Sequence, residues 1–391
     1  MSTAPTGETR EMRVGIPQAP SPRPTLMDRT EATVMGGGGR ESGRVAPWRR
    51  EWRKEGGESR RELPRAAPVK HAPWEPYLPV YFWLGGIAAG GWLAVTSEDW
   101  LGERDASVIR IGRYLAAGST IAGTGILIAD LGRSDRFLNM LRLVQPRSAM
   151  SLGSWGLAAF GTVSGAAATL QVAEDLIGSD STLGKLSKSS VGRTLHLGAL
   201  PLALFLGSYT GILLASTSTP AWARQRLTLP PLFLASGVAT GMSTTGAIAS
   251  LNGRGDTRRR RDRKGRVQRR LARATAVALT VDLIAKSIAA MQRAELPSGR
   301  GEKTEDAGAG RSGTREITTL LLGTVAPLAL SLARGTRRKK KTETFGALAT
   351  AALTLAGSLA TRFAITQDGY QSAKYAPDTW AMTALDGAER R

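Results

Sequence analysis

The chain has 391 residues, a formal net charge of +21 and no cysteine. That length fits several soluble domains or one polytopic membrane bundle, and the missing thiols exclude disulfides and thiolate-held iron–sulfur clusters within this chain. Two histidines, His71 and His196, leave little scope for a haem held by paired imidazoles, since His71 sits outside the apolar runs.

The mean hydropathy is slightly negative, but it averages long apolar runs with stretches dense in arginine. A window of spanning length separates the two. The basic charge could point to nucleic acid through counterion release from phosphates. Its placement argues against that: the densest runs, Arg258 to Arg270 and Arg337 to Lys341, lie between apolar stretches, where Lys and Arg anchor loops at an anionic membrane surface.

Residues 1–70 are rich in Pro, Gly, Arg and Glu, include the Gly36 to Gly39 run, and have no apolar stretch able to support a core. They read as a disordered basic N-terminal tail, with no cleavable secretory signal. Eight runs of spanning length follow: Tyr77 to Thr96, Val108 to Asp130, Met150 to Val172, Leu195 to Thr217, Leu229 to Leu251, Leu271 to Met291, Ile317 to Leu332 and Phe345 to Ile365. Each approaches the ~20 residues that cross a ~30 Å hydrocarbon layer as a helix. They are continuous rather than alternating, and a helix satisfies its own backbone in lipid, so an all-α, multi-pass protein with eight transmembrane helices is expected. The membrane domain covers 71–375, and 376–391 form a short C-terminal tail.

Glycines recur four apart at Gly86/Gly90, Gly161/Gly165, Gly207/Gly211 and Gly237/Gly241. Such pairs predict close helix crossings, because between lipid-embedded helices packing replaces the hydrophobic effect. Lys and Arg are nearly balanced between the two sides, so total charge does not orient the chain. The two dense blocks favour a cytoplasmic position for the loops after spans five and seven, which places both termini outside.

Trp74, Tyr77 and Tyr81 are spaced three and four apart, on one face of a helix that continues through Gly85 and Ala89. Aromatics leading into a groove of small residues make a slot for a flat, amphipathic ring such as a quinone head group; the same residues also fit an aromatic belt at the lipid headgroups. His71, three residues earlier, is either a proton-exchanging hydrogen-bond partner for that ring or a solvated tail histidine. Asp130 and Arg133, three apart at the end of the second run, form either a structural clamp or a proton access point. Deeper in the apolar runs stand Tyr209, Asp282 with Lys286 four residues on, and Arg362, as candidate proton-pathway residues. Asp282 with Lys286 also reads as a self-neutralising ion pair, and His196, near a helix end, as an interfacial residue. No phosphate loop, nucleophile–base set or metal-ligand spacing stands out, which disfavours a self-contained hydrolase or a nucleotide-driven pump.

These residues resemble a family. Trp74-Glu75-Pro76-Tyr77, Tyr81 to Gly90, Asp130-Leu131-Gly132-Arg133 with Arg136-Phe137 and Met140-Leu141-Arg142, Pro146 to Trp155, Ser208 to Leu214, Thr217 to Trp222 and Thr361-Arg362-Phe363 are similar to the NrfD/PsrC family of polysulfide-reductase-type membrane subunits. The series spans residues 74–375. It departs at Ser134, where the family pattern usually has proline. The resemblance implies two four-helix bundles, no haem, and a pocket for menaquinone or ubiquinone built by His71, Trp74, Tyr77, Tyr81, Asp130 and Arg133. The candidate proton pathway read from the ionisable groups above runs through Asp130, Tyr209, Asp282 and Arg362. The expected partners are a ferredoxin-like iron–sulfur subunit, a molybdopterin-containing catalytic subunit and membrane lipid. The stretch from Thr361 to Tyr375 looks most like anchors serving formate dehydrogenase-like partners. The chain is then the cell-membrane anchor of an oxidoreductase complex and not a complete enzyme alone; a secondary transporter or channel, or a purely structural anchor, are the alternatives.

Overall fold

The computed structural model describes residues 77–100, 105–130, 134–142, 144–178, 182, 185, 189–251, 258–296, 317–336 and 340–374. Among these residues there is no strand. The helices are α1 (Tyr77–Trp100), α2 (Ala106–Asp130), a 3-10 helix (Ser134–Leu141), α3 (Ala149–Ile177), α4 (Ser190–Gly198), α5 (Leu200–Ala215), α6 (Pro220–Arg224), α7 (Leu229–Leu251), α8 (Arg258–Ala294), a π-helical turn (Leu321–Val325), α9 (Ala326–Thr336) and α10 (Lys340–Lys374). Seven helical stretches are long and apolar enough to cross a membrane, with α4–α5 and the π turn with α9 each counting as one. The remaining predicted run is α2, whose 25 residues match a span in length but carry Arg110 and Arg113. The predicted tail and the N-terminal motif through Pro76, with His71 and Trp74, lie outside the described residues, as does Arg133.

Helices α1, α2, α3 and α5 pack around one axis, and α7, α8, α9 and α10 around a second; α1 against α7 is the seam. Glycine sets that seam. A Cβ on Gly90 would stand 2.4 Å from the Gly237 carbonyl oxygen, and one on Gly241 would stand 2.4 Å from the Gly91 nitrogen, so the two backbones touch where the four-residue pairs cross. The Gly207/Gly211 pair is also a crossing, with Gly211 against the Leu229 and Pro230 backbone. Gly161/Gly165 is not: Gly161 meets only a methyl in ordinary contact and Gly165 faces open space. A further contact, Gly323 against Gly357, joins the π turn to α10.

Polar glue completes the second bundle. Ser236 Oγ donates to Ser358 Oγ at 3.0 Å, and Ser243 and Thr354 share a hydroxyl hydrogen bond at 2.7 Å, all buried between α7 and α10. In lipid, such hydroxyls have no water to return to, so pairing them across helices holds the register. Trp222 on α6 donates from Nε1 to the Ile365 carbonyl at 2.7 Å and pins that short helix to α10.

Several boundaries differ from the expected runs, each for a local reason. The fourth run is broken at Ala199, because Pro201 lacks the N–H that would bond four residues back. Before Pro327, the chain widens into the π turn, with Ala326 N–H reaching the Leu321 carbonyl, which absorbs the same missing bond. The basic run from Arg258 is helix rather than loop: α8 has 37 residues, ~55 Å at 1.5 Å per residue, longer than the hydrocarbon layer. Arginine is a good helix former, so the helix continues beyond the apolar segment. Helix α3 ends at Gly178 with φ of 100°, a left-handed residue that glycine adopts without steric cost.

Candidate functional site

At one end of the first bundle, Tyr77 is half exposed on the first residue of α1, and Tyr81, one turn on, is buried to 5 %. The aromatic stripe therefore divides: its outer ring lies at the rim and the next lies inside. Across from Tyr81 stands Gly123 on α2, where a Cβ would lie 3.5 Å from the ring. Asp130 ends α2 two turns further out and is half-buried. Tyr209 on α5 lies within electrostatic reach of Tyr81, stacks on Phe205 at 5.3 Å and donates its hydroxyl to the Ala149 carbonyl at 2.8 Å. The Tyr81 hydroxyl donates to no other described residue, and it is not one of the fully buried polar atoms that lack a partner. A phenol at the rim of an apolar interior can donate to a ligand or to water.

Tyr209 is held from below by Gly153, where a Cβ would fall 1.9 Å from the ring. Gly153→Ala is expected to displace the ring, break the bond to Ala149 and cost ~1–3 kcal/mol, as overpacking does. Thermal unfolding of the detergent-solubilised protein reads this, and a smaller side chain at 209 should recover part of the loss.

The other two candidates sit in the second bundle. Lys286 Nζ donates to Asp282 Oδ2 and to Thr324 Oγ1, both at 2.7 Å, and Thr324 donates to the same carboxylate oxygen at 2.9 Å. The π turn delivers Thr324 to this pair. Asp282 is 1 % exposed, so the charge is compensated inside the protein, as the ion-pair reading of the sequence has it. Arg362, fully interior on α10, donates to Ser236 Oγ, to Ser358 and to the Phe233 carbonyl, and lies 5.1 Å from the Phe233 ring centre. Between this group and Tyr81 stand Phe82 and Phe233 in edge contact. The structure thus pairs Asp282 with Lys286 and Thr324, and Arg362 with Ser236, Ser358 and Phe233, with Phe82 between Phe233 and Tyr81.

A second polar cluster was not anticipated from the sequence. His196 is fully buried within the protein, at the end of the first bundle opposite Tyr81. Its Nδ1 is hydrogen-bonded to Asp99 on α1, and Arg113 Nε on α2 donates to its Nε2 at 3.1 Å. Arg113 Nη1 also donates to Gln171 on α3 at 3.0 Å, and Gln171 donates to Asp175 at 3.1 Å. The kink after α4 turns the His196 carbonyl toward α1, where Trp92 Nε1 donates to it at 3.1 Å. The only sequence signal was the presence of Asp99, Arg113 and His196 at the margins of apolar runs. A groove of about 520 Å³, lined by Val163, Leu170, Thr194, Leu195 and Leu202 among others, opens between α3 and α4–α5 and contains none of the residues singled out in the sequence.

Apolar helices of spanning length, glycine crossings and charges compensated in the interior define a polytopic α-helical integral membrane protein. The family profile described as "Polysulphide reductase, NrfD" matches residues 66–373. The protein belongs to that family. It is 30 % identical over 179 residues to the C subunit of polysulfide reductase from Wolinella succinogenes, covering 44 % of its own length and 56 % of that relative. To a protein NrfD homolog of Haemophilus influenzae it is 28 % identical over 215 residues, covering 47 % of its own length and 62 % of that relative. The matched region therefore spans little more than half of either relative.

Proposed function

We propose that the protein is the membrane anchor subunit of a multi-subunit oxidoreductase in the cell membrane, where it binds quinone and exchanges electrons with an iron–sulfur partner that serves a molybdopterin-containing catalytic subunit. Membership of the family and the likeness to a polysulfide reductase subunit support the anchor role. The observation that carries the quinone reading is Tyr81, 5 % exposed at the mouth of the first bundle, with a hydroxyl that donates to no other described residue.

A quinone ring fits such a place. It is flat, it tolerates apolar walls, and its carbonyl oxygen accepts from a phenol. When bound, quinone supplies the two-electron, two-proton redox chemistry, and the protein supplies binding and orientation. Tyr81 would donate to the ring oxygen, and Tyr209, fixed by Ala149 and Phe205, would wall the slot. Tyr77, Trp74 and His71 would line the approach from the rim, with Asp130 and Arg133 giving proton access there. Asp282 and Arg362 would set the field at the seam behind Phe82 and Phe233.

Tyr81→Phe in the assembled complex removes the hydroxyl and keeps the ring. The expected result is a rise of about three- to tenfold in KM for a soluble quinone analogue, the value of one net hydrogen bond. Unchanged KM and kcat would remove Tyr81 from the site. Asp130→Asn should lower turnover, and wild-type turnover would exclude Asp130.

One feature favours a competing reading, a secondary transporter or channel: a helix interrupted at Pro201 in one bundle and another at the π turn before Pro327 in the second. Solute uptake by vesicles containing only this protein would support it.

A further inference from the structure

Eighteen residues of α1 separate Tyr81 from Asp99, ~27 Å at 1.5 Å per residue, so the His196 cluster lies at the membrane face opposite the Tyr81 mouth. We propose that His196, with Asp99 and Arg113, is a proton-exchange site that takes up and gives back one proton from that face through Asp175.

Four features of the cluster carry this. First, both ring nitrogens are committed to charged groups. With Arg113 Nε–H donating to Nε2, the neutral ring must carry its proton on Nδ1 and donate it to the Asp99 carboxylate. Orientation and tautomer are therefore fixed, and the carboxylate stands where it stabilises an imidazolium. Second, Arg113 has another acceptor already in place. It holds Gln171 Oε1 at 3.0 Å while it caps Nε2, so a small swing uncovers the lone pair without leaving the guanidinium bare.

Third, the cluster has a way out. Gln171 donates to Asp175 Oδ1, and Asp175 Oδ2 accepts from the Tyr114 hydroxyl at 2.6 Å and from Arg110 Nε at 2.9 Å. The Arg110 side chain is 55 % exposed, so this carboxylate borders the surface. Fourth, the other direction is shut. Trp92, fully buried, packs edge-on to Phe160 at 5.6 Å and to the His196 ring at 5.5 Å, and closes the cluster from the apolar interior.

The step moves one proton and no electrons. A proton entering from the Asp175 side is carried to Nε2 by water once Arg113 has swung toward Gln171 and uncovered the lone pair; the imidazolium then holds two N–H bonds, one to Asp99. Repulsion between imidazolium and guanidinium keeps Arg113 displaced until the proton leaves by the same route. Among the described residues, the ionisable groups on the elements around the ring are Glu98 and Asp99 from α1, Asp105, Arg110, Arg113 and Tyr114 at the start of α2, Asp175 from α3, and Arg193 on its own helix. Asp175 and Asp99 favour the added proton, and Arg113 opposes it until it moves.

The presence of just two histidines makes the test direct. Full-length protein with nitrogen-15-labelled histidine in lipid nanodiscs, carrying His71→Gln so that His196 is the one labelled ring, is titrated by solid-state NMR. The ring is expected to change from one protonated nitrogen to two between about pH 8 and about pH 5. Asp99→Asn is expected to lower the midpoint by about one unit or more, because it removes the charge that stabilises the imidazolium. Exchange of the ring N–H with deuterated water is expected to slow severalfold in Asp175→Leu. A ring that keeps one protonation state across the range overturns the proposal and makes the cluster a static clamp; that reading needs only the His71→Gln protein, so misfolding of the other variants cannot obscure it. Exchange unaffected by Asp175→Leu overturns the route. No quinone is present, so the outcome is independent of the quinone reading.

Discussion

Gly90→Ala should strip most of the folded protein from the membrane. The added Cβ would lie 2.4 Å from a backbone oxygen of α7 and 2.9 Å from the Gly241 Cα, so no rotamer change relieves it and α1 must lift away from α7. Overpacking of ordinary cores costs ~1–3 kcal/mol. This contact is backbone on backbone at the seam of the two bundles, and moving it also loosens the Ser236–Ser358 and Arg362 bonds nearby, so a loss at or above that range is expected. The measurement is the monodisperse yield in mild detergent and the midpoint of thermal unfolding. Gly165→Ala is the control, since its Cβ would meet nothing within 4 Å. Equal losses in both variants would show that helix flexibility, not close approach, is what these glycines provide.

Removing the Asp282 carboxylate is expected to be the most damaging single change in the second bundle. Asp282→Ala leaves the Lys286 ammonium, with 12 % of its side chain exposed, facing Thr324 without its counter-charge. Breaking a buried ion pair from one side costs ~3–5 kcal/mol, most of it the penalty of the stranded charge. Replacing both residues by apolar ones of similar volume should therefore restore much of the stability that the single variant loses. A double-mutant cycle on unfolding midpoints reads the coupling. If Asp282→Ala and the double variant unfold alike, the lysine already reaches water and the pair is not a structural element of the interior.

The sequence alone determined the membrane character, the approximate position of the seven stretches apolar enough to cross and of α2, and the presence of close glycine crossings. Lipid offers the backbone no hydrogen-bond partner, so each span must be largely helical and apolar, and that constraint is written locally, residue after residue. The same locality explains the errors. A four-residue glycine pair looks alike whether it meets a neighbouring backbone, as Gly237/Gly241 does, or open space, as Gly165 does. The arginines from Arg258 onward read as a loop because charge marks where lipid ends, but the helix does not have to end there.

What only the tertiary structure decided is which side chains share a neighbourhood. Asp99, Arg113, Gln171 and His196 come from four helices and up to 97 residues apart, and none is unusual in its own segment. Asp282 meets Thr324, and Arg362 meets Ser236, because the π turn before Pro327 and the packing of α7 on α10 set where each helix face points. Helix formation in lipid is a property of one segment, whereas burial of a polar side chain costs free energy unless a second segment supplies its partner, and that pairing exists only once the helices have packed.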